Sequence, residues 1–370
     1  MHIVPFELER WQSVWEHHVE LNISESGVEP LTTAELLEDP GVRDGVLAMP
    51  LGYPQTNGSE ELRGRIAELY PGASAANVLL TCGCSEANYL VVWSQVEPGD
   101  EVIFMQPNYM QIAGLAQSFG AVVKPLWLRE NLRWAPDAAE LRSLLSPRTK
   151  LIAVCNPSNP TGAVLSEKLM DEICGAAASV GAWILADEVY RGAEFSGAMT
   201  STFYGRYDRV LCTAGFSKAF GMPGLRTGWV VGTAEMAEKL WGYHDYTTIG
   251  PTLLTDRLAA IALEASRRAR ILERTRGILR ENYPIVRAWI ERHAGLFTHI
   301  PPAAGAIAWL GYKGQGTTAE LAEAARVRKN LLIVPGEQLG MPGYVRIGFG
   351  GHADKLQQAL ARLDELFAEM

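Results

Sequence analysis

The chain has 370 residues, 48% of them hydrophobic and 20% charged, which suits a globular protein with one large core and one smaller one. A formal net charge of -9, with no Lys/Arg run, argues against a nucleic-acid partner. Its five cysteines, Cys82, Cys84, Cys155, Cys174 and Cys212, are odd in number and lack CxxC spacing, which argues against a disulfide framework or a zinc site.

The start, Met1 to Glu7, has no charged leader followed by an apolar core, and no stretch approaches a membrane span, so a cytoplasmic protein without a membrane partner is expected. Leu8, Trp11, Trp15 and Val19 recur at three- and four-residue spacing and predict an amphipathic helix over the first twenty residues. Asn22 to Thr33 is polar and turn-rich and reads as an extended arm, with Gly27 a candidate for close backbone approach. A helix is predicted from Glu60 to Tyr70.

From Asn77 onward, short β-rich runs alternate with long connections: Val78 to Thr81, Glu101 to Phe104, Leu151 to Cys155, Trp183 to Ala186 and Val210 to Thr213. That alternation predicts βαβ units and a mainly parallel sheet covered on both faces. Thr227 to Gly232 follows too closely for a crossover, so an antiparallel strand is expected there. After Thr252 comes a long charged helix, then strands at Gly305 to Leu310, Leu331 to Val334 and Tyr344 to Phe349, and a closing helix from Asp354 to Glu369. With the arm these form a second, smaller α+β unit. The expected division is an arm and part of the small domain over 1–44, a large domain over 45–265 and a small C-terminal domain over 266–370.

Several motifs sit where these strands end. Gly83-Cys84-Ser85-Glu86-Ala87 follows one strand and opens a helix, whose free N–H groups and dipole suit a phosphate. Pro107-Asn108-Tyr109 places an aromatic ring after the next strand. Asn156-Pro157-Ser158-Asn159-Pro160-Thr161-Gly162 makes a turn at a strand's C-terminal end, where open α/β sheets bind ligands. Ala186-Asp187-Glu188-Val189-Tyr190 ends the following strand with a carboxylate and a phenol. Thr213 to Arg226 is a small-residue loop carrying Ser217-Lys218 and, eight residues on, Arg226. A lysine forms a Schiff base only when neutral, so such a loop must lower its pKa, and the arginine fork matches a phosphate or carboxylate.

In that order, these motifs resemble the fold-type I pyridoxal phosphate (PLP) enzymes of the class I/II aminotransferase group, from about Asn22 to Phe367. The resemblance implies an aspartate-aminotransferase-like α/β fold, with a large PLP-binding domain built on a mainly parallel seven-stranded sheet. It implies pyridoxal 5'-phosphate as cofactor, held by Gly83, Cys84, Ser85, Tyr109, Asn159, Asp187, Tyr190, Ser217, Lys218 and Arg226. Lys218, Asp187 and Tyr190 take the catalytic roles: covalent anchor and proton carrier, partner of the ring nitrogen, and donor to the ring oxygen. Gly27, Asn159 and Arg346 match the substrate-binding positions, Arg346 as the fork for the α-carboxylate. Leu51 to Gly58 resembles the loop whose tyrosine, here Tyr53, reaches the phosphate of a neighbouring subunit, implying a homodimer with shared sites. Gly215 departs from the pattern, which usually has a hydroxyl residue three positions before the lysine.

The activity implied is transfer of the amino group of a free L-amino acid to a 2-oxo acid through a Lys218 Schiff base. Elimination or cyclisation on an amino acid, as in enzymes resembling capreomycidine synthase or aminocyclopropane carboxylate synthase, uses the same motifs and stays open. Arg191, His244, Asp245 and Tyr246 are candidates for the side-chain pocket.

Overall fold

The structure is a computed structural model and describes residues 3–369. The strands, in chain order, are β1 (Leu21–Asn22), β2 (Val78–Thr81), β3 (Glu101–Gln106), β4 (Val122–Trp127), β5 (Thr149–Cys155), β6 (Trp183–Asp187), β7 (Val210–Gly215), β8 (Gly228–Val231), β9 (Phe297–His299), β10 (Ile307–Tyr312), β11 (Leu331–Leu332), β12 (Val334–Pro335) and β13 (Tyr344–Gly348).

Seven of them form one sheet in the order β2-β8-β7-β6-β5-β3-β4. Pairing is parallel from β7 to β4, and β8 runs antiparallel to both β7 and β2. The apolar runs are continuous because both faces are covered. Alternate side chains feed two separate cores: Leu79, Val102, Leu151, Leu185 and Leu211 pack on one face, and Leu80, Ile103, Ile152, Ile184 and Cys212 on the other. The parallel strands point their C-terminal ends the same way, so the turns after β3, β5, β6 and β7 gather along one edge.

β4 escapes the sequence reading for a physical reason. It carries Lys124 and Pro125, residues tolerated on a sheet edge and not in its middle, and Lys124 pairs with Glu101 at 2.5 Å.

A four-stranded antiparallel sheet, β12-β13-β10-β9, forms the smaller layer. The expected strand from Leu331 to Val334 proves to be two: Leu331–Leu332 pairs with β1, and Val334–Pro335 pairs with β13. The chain bends between them to serve two sheets. The charged helix is Ala265–Arg292 and the closing helix Ala353–Ala368.

The N-terminal helix spans Glu7–Trp15 only, so Val19 lies beyond the stripe expected to include it. Its apolar side packs within the chain: Leu8 is buried, and the Trp11 indole N–H donates to the Ile333 carbonyl at 3.0 Å. Residues 23 to 31 then run as an extended strap. Its backbone bonds link Ile23 to Gly348 and Glu29 to Gly350 on one side, and Leu31 to Gly221 on the other. Gly348 and Gly350 permit this contact, because a Cβ at either would stand 1.9 or 2.0 Å from the strap's Glu25 or Gly27 carbonyl oxygen. Among the described residues no helix is long and apolar enough to cross a membrane.

Candidate active site

A cleft of about 310 Å³ opens at the C-terminal edge of the large sheet, between it and the smaller layer. Lys218 enters from the loop after β7. That loop is held from below by aromatic packing: Phe216 lies 5.4 Å from Trp229 and 5.1 Å from Phe220, ring centroid to centroid. The buried rings fix the backbone on either side of Ser217 and Lys218, while the lysine side chain keeps about a quarter of its surface. Its Nζ lies 3.9 Å from the Glu25 carboxylate on the strap.

Asp187 ends β6 and is buried. Its Oδ1 accepts from the Val189 N–H at 3.1 Å and the Cys84 thiol at 3.8 Å, and its Oδ2 accepts from Asn88 Nδ2 at 3.2 Å. The Thr213 hydroxyl in turn donates to Asn88 Oδ1 at 2.7 Å. Burial raises the pKa of Asp187; the donors and the Lys218 charge oppose it. Burial likewise pushes the Cys84 and Cys155 thiols well up, so Cys84 keeps the proton that it donates. Tyr190, three residues past Asp187, is buried beside it, and burial raises its pKa also.

The helix Cys84–Gln95 begins at the same cleft, with Gly83 as its N-cap at φ 80°, a left-handed conformation suited to glycine. A Cβ on Gly83 would lie 2.5 Å from Arg226 Nη2, so that guanidinium stands directly over the helix start. Arg226 is itself left-handed at φ 45°. Position 215 faces the same spot: a Cβ there would be 3.5 Å from the Cys84 nitrogen and 3.0 Å from the Thr227 carbonyl oxygen. The hydroxyl that Gly215 lacks would therefore have pointed into this cup.

Arg346 rises from β13 on the other wall, with 1% of its surface exposed. Its Nη1 donates to Asn159 Oδ1 at 3.2 Å and its Nη2 to the Ser24 carbonyl at 2.6 Å, while its Nε has no partner among the described residues. Tyr109 lies against the N-terminal helix. Its hydroxyl donates to Glu9 at 2.6 Å, and its ring meets Phe6 edge-on at 4.7 Å.

The model of the aminotransferase class I and II family matches residues 49–363. The chain belongs to that family. It is 32% identical over 365 residues to capreomycidine synthase of Streptomyces vinaceus, covering 97% of this chain and 92% of that one. It is 29% identical over 337 residues to arginine–pyruvate transaminase of Pseudomonas aeruginosa, covering 88% and 85%. A crystal structure described as a PLP-dependent aminotransferase from Streptococcus suis superposes with a TM-score of 0.94 at 33% identity, covering 100% of this chain and 99% of that one. The fold is aspartate-aminotransferase-like, as the motifs led one to expect.

In this member of the class I/II aminotransferase family, the cleft brings together Cys84, Ser85, Tyr109, Asn159, Asp187, Tyr190, Ser217, Lys218, Arg226 and Arg346. Gly27 lies just behind Lys218, where a Cβ would sit 3.7 Å from Lys218 Cδ and 3.3 Å from the Ser217 carbonyl oxygen. Tyr53 is elsewhere: it is 91% exposed and lines a separate hollow with Ile249, Pro251 and Leu254.

The side-chain candidates do not meet in the cleft. Arg191 is tied to Glu188 and to the Thr200 and Leu69 carbonyls. His244 is buried against Glu86 and Thr248, and Asp245 and Tyr246 are exposed. The sequence reading passed over Glu9, Gln12 and Glu25, which line the cleft from the N-terminal segment, and Asn88. Asn88 carried a signal, since it lies three residues after Ser85 and so on the same helix face. Glu9 and Gln12 were hidden inside a stripe read for its apolar residues.

Proposed function

We propose that this enzyme is a PLP-dependent aminotransferase that moves the amino group of a free L-amino acid to a 2-oxo acid. The observation that carries the reading is that Lys218, Asp187 and Arg346, from three distant segments, line one cleft. The cleft suits the cofactor. The cup between Gly83 and Arg226 offers helix N–H groups and a guanidinium to a phosphate, and buried Asp187 offers a carboxylate to a ring nitrogen. A cationic ring would supply the charge that desolvated Asp187 lacks.

Pyridoxal phosphate, when bound, supplies an electron sink for charge that builds at the substrate α-carbon. Ser85, Ser217, Arg226 and the Cys84 N–H would hold its phosphate, and Tyr109 would face its ring. Asp187 would keep a proton on the ring nitrogen, and Tyr190 and Asn159 would donate to the ring oxygen. Arg346 orients the substrate, meeting its α-carboxylate with the free Nε N–H and an Nη group, beside Asn159. Lys218 would anchor the cofactor through its amine and, when that amine is free, would act as the general base that takes the substrate α-proton and gives it back. Gly27 leaves room for Lys218 to swing. The 32% identity to capreomycidine synthase supports a second reading, in which the same steps lead to elimination or cyclisation.

We also propose a homodimer with shared sites. Leu51, Tyr53, Ile249 and Leu254 are exposed and line one hollow that a second copy would cover, bringing its Tyr53 hydroxyl to this chain's phosphate cup. Mixing the cofactor-loaded enzyme with single amino acids tests the main reading. Loss of the yellow chromophore with release of a 2-oxo acid supports transamination, whereas a cyclic or deaminated product without that loss supports the second reading. No spectral response to any amino acid would overturn both.

A further inference from the structure

Six charged side chains line the cleft: Lys218, Arg226, Arg346, Asp187, Glu9 and Glu25. The functional reading above accounts for four of them, with Lys218 as anchor, Arg226 on the phosphate, Arg346 on the α-carboxylate and Asp187 on the ring nitrogen. Glu9 and Glu25 remain. Glu9 comes from the N-terminal helix and has no ion-pair partner among the described residues; its carboxylate only accepts from the Tyr109 hydroxyl. Glu25 comes from the strap, is 54% exposed, and among the described residues has Lys218 as its ion-pair partner, at 3.9 Å, a partner that it loses once the lysine is engaged.

A third carboxylate stands close by. Glu16 has its pKa raised, by burial first and then by the charge of Glu25, with His17 opposing and Glu9 adding, so these carboxylates lie near enough to repel one another and a cation among them would relieve that. Independently, Arg346 is 1% exposed and its Nε N–H is unpartnered. A buried donor left in that state calls for an acceptor on a ligand. The cleft thus offers the Arg346 guanidinium to an anion and, near it, the Glu9 and Glu25 carboxylates to a cation.

We infer that the substrate is an L-amino acid whose side chain ends in a cation, an amine or a guanidinium, recognised by Glu9 and Glu25. This rests on the reading of the cleft as the amino-acid site. Glu9 receives the distal cation with the Tyr109 hydroxyl fixing the carboxylate, and Glu25 adds charge from the strap. A neutral side chain would leave both carboxylates unpaired, and an acidic one would be repelled.

The test separates binding from chemistry. The holoenzyme is titrated calorimetrically with δ-guanidinovalerate and hexanoate, which carry no primary amine and so cannot form a Schiff base. The cationic carboxylate should bind at least roughly ten-fold tighter than hexanoate, the difference that one charge-assisted contact makes. Glu9→Gln keeps an acceptor for Tyr109 and removes only the charge. It should erase most of that preference while leaving hexanoate binding and the melting temperature unchanged, and Glu9→Gln/Glu25→Gln should erase the rest. In turnover, kcat/KM for L-arginine or L-lysine should exceed that for L-norleucine and L-glutamate, the gap closing in the same variants. Hexanoate binding as tightly as δ-guanidinovalerate, or a preference that survives in the double variant, overturns the inference. If no amino acid bleaches the chromophore, the cofactor reading fails, whereas efficient turnover of neutral amino acids alone removes only the cationic substrate.

Discussion

Asp187→Asn is the substitution whose outcome the geometry constrains most. An amide can keep one carbonyl oxygen where Oδ1 accepts from the Val189 N–H and the Cys84 thiol, which leaves its NH2 facing the Asn88 amide donor. The clash of donors would cost about 1–3 kcal/mol if it stood. It need not stand, because Asn88 can turn its amide over and donate to the Thr213 hydroxyl, which now donates to it and can accept instead. The fold should therefore survive, with a melting temperature within about 2 °C of the parent for a residual cost below about 1 kcal/mol. Turnover should not survive. A neutral amide cannot hold a proton on the ring nitrogen, and a loss of roughly a hundredfold, about 3 kcal/mol, is expected. The assay is the single-turnover rate of chromophore loss at saturating cofactor, with scanning fluorimetry in parallel. A folded, cofactor-saturated variant that turns over within about ten-fold of the parent, about 1.4 kcal/mol, would refute the role given to Asp187.

Lys218→Ala should leave no cofactor covalently attached after borohydride reduction; mass spectrometry showing an attached cofactor would remove Lys218 as the anchor. Arg346→Lys replaces a two-point fork with a point charge in a buried site, so KM for amino acids should rise about ten-fold or more, with kcat less affected; an unchanged KM would separate Arg346 from the carboxylate. Mixing Tyr53→Asp with Lys218→Ala, each inactive and dimeric alone, should restore activity toward about a quarter of the parent through heterodimers with one intact site, and verified subunit exchange without recovery argues against a shared site. Burial alone would raise the pKa of Glu86, but hydrogen bonds from His244, Thr247 and the Cys82 N–H outweigh it and hold the group at about 2. A carboxylate depressed in the fold stabilises it above the unfolded value near 4.5 and loses that contribution as pH falls toward 2. Glu86→Gln should thus show a shallower acid limb than the parent in urea melts across that window, by about 1–2 kcal/mol after allowance for solvent screening.

Much of the large sheet was legible because its central strands are buried on both faces and read as unbroken apolar runs. β4 was not, since its edge position admits a lysine and a proline that erase the pattern. β1 and β9, two and three residues long, carry too few positions for any periodicity to show, and β11 and β12 read as one strand because no turn residue marks the bend between them. The cleft was legible where chemistry is local in sequence, as in Asp187 with Tyr190 or Ser217 with Lys218. It was opaque where tertiary docking creates it. Nothing in the sequence around Glu9 says that the helix Glu7–Trp15 will lie over Tyr109, and Gly348 and Gly350 reveal their purpose only with the strap against them.

The strap also sets an order of events for a newly made chain. Arg346 is held by the Ser24 carbonyl across 322 positions of sequence, and Gly348 meets the strap at Ile23. A ribosome that has finished β8 has delivered all seven strands of the large sheet and Lys218, yet not Arg346, the guanidinium proposed to hold the substrate. The earliest segment must wait, undocked, for one of the last. Contacts of such long separation form slowly, so a nascent chain could acquire its parallel sheet well before it acquires a closed cleft. Competence to discriminate among amino acids would then arrive as a late step of synthesis, after most of the protein's mass has already folded.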